Sequence, residues 1–487
     1  MKNTFLIFLS TLVATFSFAQ TDELHRRYDE FRRQAGTEYA DFRRRANREY
    51  ATYMRQAWQE YNISPAIPRP KDEKVPPITM PEKDKARPVK EHPVTIEDII
   101  VPPAPLPHPV PVAPVREQPQ PTARQATFRF FGTECKVRFD SSVKFSLSGC
   151  DEKALSAAWN RLSEKTYDNT VLDCLELRKQ MQLCDWAYLN LLDSMSQACL
   201  GKTDEATLFM AFIYCQSGYK MRLGRTPERL VLLYASAHSI YDRPFFSIGS
   251  DKFYPFGHSP QRLSVCSATF PKEQPLSLLL PRQPRFARTQ TNERQLHSQR
   301  YPEVRAAVRT NENLIRFYET YPSSETDGNC MTRWAAYANT PLEEEARQTL
   351  YPALLKNIAG LTAKEAAERL LNFVQTAFVY EYDDKVWGGD RAFFAEETLY
   401  YPYCDCEDRS ILFSRLIRDL LRLDVLLVYY PGHLATAVHF PDSITGDYVT
   451  VDGRRFTICD PTYIGAPVGR TMPGMENRTA KVILLNP

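Results

Sequence analysis

The sequence predicts an α+β fold whose globular part follows a long N-terminal extension. Apolar residues recur at helical spacing in several stretches between Lys153 and Phe378, and short apolar runs of strand length follow Leu423. Before them, 17 of the 36 prolines lie between Pro65 and Pro121, a composition that excludes helices and central strands. The 487 residues, 43% of them hydrophobic, allow about three domains with ordinary cores.

Composition disfavours two kinds of partner. The chain has 61 basic and 59 acidic residues, for a formal net charge of +2. Because nucleic-acid binding usually needs a basic surplus, we expect no nucleic-acid partner. Beyond the N-terminal run there is no long apolar stretch, and a bilayer needs about 20 such residues, so we expect no transmembrane span.

Residues 1–19 have the three parts of a secretory signal peptide. Lys2 gives the positive start, Phe5 to Phe18 give the apolar core, and Ala19 gives the small residue at the cleavage site. The apolar run is too short for a membrane anchor. We therefore expect an exported protein, either periplasmic or secreted.

Residues 20–62 are predicted to form an amphipathic helix with an eleven-residue repeat between Leu24 and Tyr61. The repeat relates three sets of residues: Tyr28, Tyr39, Tyr50 and Tyr61; Phe31, Phe42 and Tyr53; and Ala35, Ala46 and Ala57. Eleven residues make about three helical turns, so one aromatic stripe stays on one face, opposite balanced charges. The stripe must be buried by self-association, by an envelope partner, or on the chain's own globular part.

Residues 63–125 are predicted to be a Pro-rich linker. Such a composition favours an extended polyproline-type tether, and its simplest role is that of a spacer.

We predict two α+β domains. The first covers residues 126–305, and the second covers residues 306–487. The first has strands at Phe128 to Phe131 and Cys135 to Phe139, helices at Lys153 to Ser163, Val171 to Leu183, Trp186 to Cys199 and Glu205 to Ser217, and a connection from Pro271 to Tyr301. The second begins with helices at Asn311 to Tyr321, Leu342 to Ile358 and Thr362 to Phe378. Thr362 and Glu365 have the spacing of a capping box.

Cys406 lies in the first turn of a predicted buried helix, because Ile411, Leu412 and Leu416 follow it at helical spacing. At a helix start, unpaired N–H groups and the helix dipole favour the thiolate, which is the nucleophilic form of cysteine. We therefore expect a lowered thiol pKa and a catalytic role for Cys406.

A base and an acid follow at later strand edges. Val425 to Tyr430 reads as a strand, and His433 opens the next one after a Pro-Gly turn. Tyr448 to Val451 and Arg455 to Cys459 read as a hairpin around Asp452-Gly453, and Asp460 follows it. Strands of this length would bring Cys406, His433 and Asp460 to one edge of the sheet.

These three motifs resemble those of the transglutaminase-like superfamily of papain-like thiol enzymes, in particular its exported bacterial members. The motifs are Asp405-Cys406-Glu407-Asp408, Pro431-Gly432-His433 and Cys459-Asp460-Pro461-Thr462, and the resemblance covers roughly Thr362 to Pro487. It implies a papain-like α+β fold with a catalytic triad of Cys406, His433 and Asp460. Two positions depart from the family pattern, Cys404 where glycine is frequent and Ala435 where an aromatic residue is frequent.

Other readings of the same residues remain open. Cys404, Cys406, Cys459 and His433 could form a zinc site or contain a disulfide, although structural zinc normally uses two separated ligand pairs. His439 could compete with His433 as the base. We expect no metal and no cofactor. The eleven cysteines are scattered and show no disulfide framework.

The segment from Leu200 to Ala235 looks like the region around Cys406 and predicts a degenerate copy of it in the first domain. Thr203 stands where the nucleophile would be, so this copy should not catalyse. Thr203, His238 and Asp251 could still line a binding groove.

Gln375 and Trp387 are the candidates for donating to the oxyanion or for lining the cleft. Gln375 lies on the helix expected to pack beside Cys406, and Trp387 lies in the loop that follows this helix.

The sequence therefore predicts an exported cysteine peptidase, amidase or transglutaminase-type acyltransferase that attacks a peptide or protein amide through an acyl-enzyme. The alternative is a non-catalytic envelope binding or scaffold protein with degenerate papain-like domains.

Overall fold

The computed structural model describes residues 27, 30, 34, 37–71, 74–81, 88–119, 124–140 and 144–486. The predicted signal peptide lies outside this part of the chain. The helices are α1 (37–53), α2 (Glu152–Leu162), α3 (Asp168–Gln180), α4 (Asp185–Leu200), α5 (Asp204–Gln216), α6 (Glu312–Thr320), α7 (Thr332–Asn339), α8 (Glu344–Ile358), α9 (Ala363–Thr376), α10 (Asp383–Val386), α11 (Ala395–Tyr400) and α12 (Cys406–Leu416), which continues as a π-helical segment, Ile417–Leu421.

The strands lie mostly in two sheets, and the fold is mixed α+β as predicted. They are β1 (Trp58–Asn62), β2 (Glu91–Pro93), β3 (Ile99–Ile100), β4 (Gln125–Phe130), β5 (Thr133–Arg138), β6 (Met221–Arg225), β7 (Leu230–Ala235), β8 (Ser239–Ile240), β9 (Phe246–Ile248), β10 (Asp251–Pro255), β11 (Arg262–Cys266), β12 (Arg294–His297), β13 (Arg305–Val308), β14 (Ser324–Glu325), β15 (Val379–Tyr380), β16 (Tyr403–Cys404), β17 (Val425–Tyr430), β18 (His433–Val438), β19 (Tyr448–Val451), β20 (Arg454–Cys459) and β21 (Lys481–Leu484).

The C-terminal unit consists of α12 and a seven-stranded sheet in the order β2-β19-β20-β18-β17-β21-β3. Its central strands β17 and β18 are almost wholly apolar because both faces of the sheet are covered. Leu427 and Leu434 face Ile411 of α12, and the opposite face packs against the N-terminal extension. The predicted β19–β20 hairpin is present, and Asp452 and Gly453 both have the positive φ of a two-residue turn.

The N-terminal unit consists of α5 and a six-stranded sheet in the order β1-β11-β6-β7-β10-β9. In both units a helix is followed by five strands of one sheet, with β8 of the N-terminal unit pairing elsewhere, and the fifth strand returns to pair with the first. The five strands therefore lie in the order fifth, first, second, fourth, third, with antiparallel neighbours throughout. The two units thus have the same topology.

The Pro-rich region is not a free spacer, contrary to the prediction. Val75, Ile78 and Met80 pack on the C-terminal sheet, β2 pairs with β19, and β3 pairs with β21. Proline lacks a donor N–H but tolerates extended edge positions, so this composition suits a chain that borders a sheet rather than one that enters it.

The predicted helix from Leu24 to Tyr61 is wrong at its C-terminal end, because Trp58–Asn62 forms an edge strand paired with β11. The described part of the helix docks on the chain's own globular part. Its buried face carries Ala46, Asn47, Tyr50 and Ala51, whereas Tyr39 and Tyr53 are exposed. Asn47 exchanges hydrogen bonds with Gln216 of α5 and accepts one from the Trp159 indole, which fixes the docked face by polar contacts that an aromatic repeat does not encode.

The other predicted helices agree with the structure to within a few residues, and the Thr362–Glu365 capping box is present. The sequence did not predict α7, α10 and α11. The connection from Pro271 to Tyr301 also contains a strand, β12. Among the described residues, the structure contains no helix long and apolar enough to cross a bilayer.

Candidate active site

Cys406 opens α12 and is buried beside the start of β18. Its side chain is only 2% exposed. The backbone N–H of Leu434, the residue after His433, lies near enough to the Cys406 sulfur to favour its thiolate slightly. The Ser410 hydroxyl, one turn along the helix, donates to the Leu434 carbonyl at 2.8 Å. The Ser410 bond ties the start of the helix to the start of the strand.

His433 and Asp460 form a buried pair. The distance from His433 Nε2 to Asp460 Oδ2 is 2.9 Å, and each residue is 1% exposed. The other carboxylate oxygen, Oδ1, accepts the backbone N–H groups of Thr462 at 2.9 Å and Tyr463 at 3.2 Å. Asp460 is therefore held from both sides and in turn orients the imidazole.

The second nitrogen of His433, Nδ1, is buried and has no hydrogen-bond partner within the described part of the chain. A buried imidazole nitrogen without a partner is unusual, and it is the nitrogen that a triad would use as the base. His439 lies at the other end of β18, where its Nδ1 is 2.8 Å from the Arg455 carbonyl oxygen. It therefore does not compete with His433.

Gln375 is not placed as an oxyanion donor. Its side-chain nitrogen donates to the carbonyls of Asp460 at 3.0 Å, Tyr463 at 2.8 Å and Ala466 at 3.1 Å. Its oxygen accepts the N–H of Gly465 at 3.1 Å. These partners already occupy the amide, so Gln375 instead fixes the loop that carries Asp460.

Trp387 lies on the wall of a groove of about 770 Å³ that also contains Lys74, Asp383 and Asp390. Its ring packs against Tyr401 with centroids 4.7 Å apart, and the Arg391 guanidinium lies 4.4 Å from its centroid. The residues that line this groove do not include Cys406, His433 or Asp460, so a role for Trp387 at a cleft over the thiol stays a prediction.

A cluster of carboxylates that the sequence did not reveal adjoins Cys406. The Cys406 thiol lies 3.2 Å from Glu407 Oε2. Lys74, from the Pro-rich region, contacts Glu407 at 2.8 Å, Asp383 at 3.2 Å, Asp390 at 3.3 Å, and Asp405. Acidic residues crowd the segments 381–390 and 405–408, but nothing in the sequence around Lys74 indicated that it reaches them.

The environment of Cys406 opposes the thiolate, contrary to the prediction from the helix start. Burial, followed by the charges of Glu407 and Asp405, raises the pKa of the thiol well above its usual value, although Lys74 acts in the other direction. The helix dipole is outweighed because the sulfur is dry and lies among acids. In this arrangement the thiol is protonated at neutral pH.

The same cluster perturbs its own acids. Burial and then the charge of Glu407 raise the pKa of Asp383 to about 6, and the pKa of Asp405 and of Asp408 is raised well above the usual range, first by burial. Burial opposes ionisation of Glu407, but the Lys74 ammonium, the Asp405 side chain and the Arg333 guanidinium together lower the pKa of Glu407.

Some of these groups are close enough together to share a metal ion: Asp383, Asp390 and Glu407; Asp405, Cys406 and Glu407; and Asp383, Asp405 and Asp408. The positive charge they share in the structure is the Lys74 ammonium. Of the four residues in the zinc alternative, Cys406 alone belongs to these groups, and the Cys404 and Cys459 thiols instead contact the carbonyls of Val379 and Thr457. All eleven cysteines are free thiols.

The N-terminal unit places different residues at the corresponding positions. The prediction that Thr203 takes the nucleophile position is wrong, because Asp204 is the first residue of α5 as Cys406 is of α12. Oδ1 of Asp204 accepts the N–H of Leu230, the first residue of β7, at 2.9 Å. By the same strand registers, exposed Arg229 and Gly257 take the positions of His433 and Asp460.

Thr203, His238 and Asp251 do not line one groove. Thr203 is the N-cap of α5, with its hydroxyl 3.3 Å from the Ala206 nitrogen. His238 follows the far end of β7, and Asp251 pairs with Lys220 at 2.6 Å. The longer gap before His238 was the sequence signal that it does not correspond to His433.

No protein-family model matches this chain, and no curated protein or solved structure shows significant similarity to it.

Proposed function

We propose that the C-terminal unit is a thiol acyl-transfer site with Cys406 as the nucleophile, His433 as the base and Asp460 as the residue that orients it. The observation that carries the proposal is Nδ1 of His433, which is buried, has no hydrogen-bond partner among the described residues, and adjoins Leu434, the strand residue bonded to Ser410 of α12. The resemblance to transglutaminase-like enzymes supports the same three residues.

In the proposed reaction, Nδ1 of His433 takes the thiol proton as the sulfur forms a bond to the carbonyl carbon of an amide. The resulting oxyanion lies near the first backbone N–H groups of α12, and the imidazolium gives its proton to the leaving amine as the C–N bond breaks. Water attack on the thioester then regenerates the thiol and gives amidase or peptidase action. Attack by a second amine gives cross-linking instead.

The proposal is tested by the rate at which iodoacetamide alkylates individual cysteines near neutral pH. Cys404 and Cys459 are as buried as Cys406, at 2% and 0% exposure, so burial alone predicts that all three react equally slowly. A triad predicts that Cys406 reacts fastest, and that His433→Ala slows it while His439→Ala does not. Equal slow labelling of all three cysteines would contradict a catalytic role.

A non-catalytic binding protein is the second candidate. The raised pKa of the Cys406 thiol and its contact with Glu407 favour this reading, because they describe a thiol that is not activated. Equal slow labelling is the result expected for this candidate.

We further propose that the protein acts outside the cytoplasm on a peptide or protein substrate and has no nucleic-acid partner. The export signal in residues 1–19 and the balanced charge support this assignment. Detection of the mature chain beginning at Gln20 in the periplasm or medium would test it.

A further inference from the structure

The segment 74–80, which we call the strap, borders both loops of the candidate active site. The N–H of Val75 donates to the carbonyl of Gly432, the residue before His433, at 2.9 Å. Further along, Met80 donates to the carbonyl of Ile464, and Ile464 donates to the carbonyl of Ile78, each at 2.9 Å. The strap therefore binds through its backbone, as an extended peptide added to a structured edge does.

Lys74 anchors the strap at the end nearest Cys406. Four carboxylates, those of Asp383, Asp390, Asp405 and Glu407, converge on its ammonium, and its side chain is 13% exposed. We call these four residues the acid pocket. The buried Arg333 guanidinium, 3.2 Å from Asp390, holds one wall of the pocket.

The acid pocket contains more acceptor capacity than Lys74 uses. Oδ1 of Asp405 is buried and has no hydrogen-bond partner among the described residues. A pocket that served only to bury one internal ion pair would gain little from several acids, since desolvating each of them costs energy. An excess of acids suits a site that must bind a cation from outside when its internal occupant leaves.

The pocket recognises a charge and does not activate an amine. Burial opposes the charged form, but the charges of Glu407 and Asp405 raise the pKa of Lys74 far above its usual value. An ammonium held in this way has no lone pair for attack on an acyl-enzyme. The acid pocket therefore binds the Lys74 side chain through its positive charge.

We propose that the acid pocket is the subsite for a lysine side chain of an extended peptide substrate, and that the strap occupies this subsite in cis through Lys74. Calling the bound peptide a substrate rests on the proposed function, whereas the binding site itself does not depend on catalysis. The backbone bonds to Gly432 and Ile464 assign the ligand to the peptide class and not to free polyamines. Pro76 and Pro77 have no backbone N–H, so the edge formed by Gly432 and Ile464 accepts a peptide that lacks hydrogen-bond donors at two successive positions.

The first experiment restores the ammonium to a vacated pocket. Lys74→Ala is expected to lower Tm, and millimolar n-butylammonium is expected to raise the Tm of this variant. n-Butanol, which has a similar shape and no charge, should not do so. Neither compound should shift the Tm of the wild type or of Lys71→Ala, an exposed lysine three residues earlier in the chain. Equal shifts with butanol, or in the wild type, would contradict an ammonium subsite.

The second experiment measures peptide binding by fluorescence anisotropy. The protein is the full chain with Lys74→Ala and Val75→Pro, which removes the ammonium and the N–H that donates to Gly432. Cys406→Ala is added to prevent any reaction. The probe is a labelled peptide with the sequence of residues 74–80, Lys-Val-Pro-Pro-Ile-Thr-Met.

The peptide should bind this variant at least about tenfold more tightly than it binds Cys406→Ala alone, because the strap competes there at a high effective concentration. Replacing its lysine with acetyl-lysine should weaken binding at least about tenfold, on the scale of one lost charge-assisted contact. Equal binding of the two peptides, or equal binding to the two proteins, would overturn the proposal.

These outcomes separate the two proposals. If the peptide binds as expected but Cys406 shows no preferential alkylation, the subsite stands and the thiol enzyme fails. If Cys406 is preferentially alkylated but the peptide does not distinguish lysine from acetyl-lysine, the enzyme stands and the subsite fails.

Discussion

The two units have the same helix and strand topology, but they carry different side chains around the helix start. In the C-terminal unit, Cys406 opens the helix and the His433–Asp460 pair lies at the ends of strands β18 and β20, each residue 1–2% exposed. In the N-terminal unit the same positions carry Asp204, Arg229 and Gly257, the last two of them exposed. The same topology can therefore carry different sites, and a few side chains at the sheet edge determine whether a catalytic site is possible.

Loss of the carboxylate charge in the C-terminal unit should have the largest effect. Asp460→Asn keeps an oxygen for the Thr462 and Tyr463 N–H groups but no longer stabilises an imidazolium. We expect Cys406 alkylation to slow on the order of 1000-fold, within the usual range for general acid–base catalysis. Asp251→Asn in the N-terminal unit is the matched control, and its rate should equal that of the wild type. A similar small change in both variants would leave the two units chemically equivalent.

Gln375 holds the Asp460 loop in the C-terminal unit. Gln375→Leu should lower the free energy of unfolding by about 4 kcal/mol, because it leaves several buried carbonyls and the Gly465 N–H without partners. Chemical denaturation would measure the loss. Exposed Gln261, beside the corresponding loop of the N-terminal unit, provides the control, since Gln261→Leu removes no buried partner. A loss below about 1 kcal/mol in Gln375→Leu would show that the loop holds its own shape.

Two glutamates, one beside each unit's helix or within it, should make stability respond to pH in opposite directions. In α11, which packs against α12 of the C-terminal unit, burial raises the pKa of Glu396 to about 8. The folded protein therefore holds a proton that the unfolded chain loses near pH 4.5, and stability falls as the pH rises from there to about 8. In the N-terminal unit burial opposes ionisation of Glu205, but hydrogen bonds from the Leu147 N–H, its own N–H and Thr203 together lower its pKa, so its contribution is present above pH 4.5 and is lost in acid.

This difference can be measured by denaturation at pH 5 and pH 8. The wild type should lose about 3 kcal/mol more than Glu396→Gln between these values, at about 1.4 kcal/mol per pKa unit. Glu205→Gln should instead show its deficit at pH 8 and lose it in acid. Parallel pH profiles for the wild type and Glu396→Gln would contradict a raised pKa at Glu396.

The smallest expected effect compares the two helix starts directly. Asp204→Ala removes the carboxylate that accepts the Leu230 N–H and should cost about 1 kcal/mol. Cys406→Ala should cost less, because sulfur is a weak acceptor and the thiol lies among acids that it does not neutralise. Thermal unfolding of the two variants would test this order. A larger cost for Cys406→Ala would mean that the sulfur serves packing more than chemistry.

The sequence predicted the C-terminal unit better than the N-terminal extension, for a physical reason. Local sequence patterns predict the strands at Val425–Tyr430 and Tyr448–Val451 and the helix at Cys406. These patterns are the spacing of apolar residues and the turn residues between the elements. The convergence of His433 and Asp460 follows from antiparallel strands of equal length. The course of the Pro-rich chain is set instead by contacts hundreds of residues away, such as that between Lys74 and Asp405, which no local pattern records.

The ionisation of Cys406 was mispredicted for a related reason. The helix start is visible in the sequence, but the dry surroundings and the approach of Glu407 and Asp405 belong to the tertiary structure. The role of Gln375 was likewise hidden, because a glutamine on a helix gives no sign of which carbonyls it will meet.

The short strands β2 and β3 lie on the two outer edges of the C-terminal sheet, and both come from the segment between residues 91 and 100. A fragment starting at residue 306 would lack both of them, together with the apolar side chains of the strap. Its sheet would expose two unpaired edge strands and an apolar face to neighbouring copies, and such surfaces commonly lead to aggregation. The C-terminal unit should therefore stay soluble only while residues 74–100 of the same chain remain attached to it.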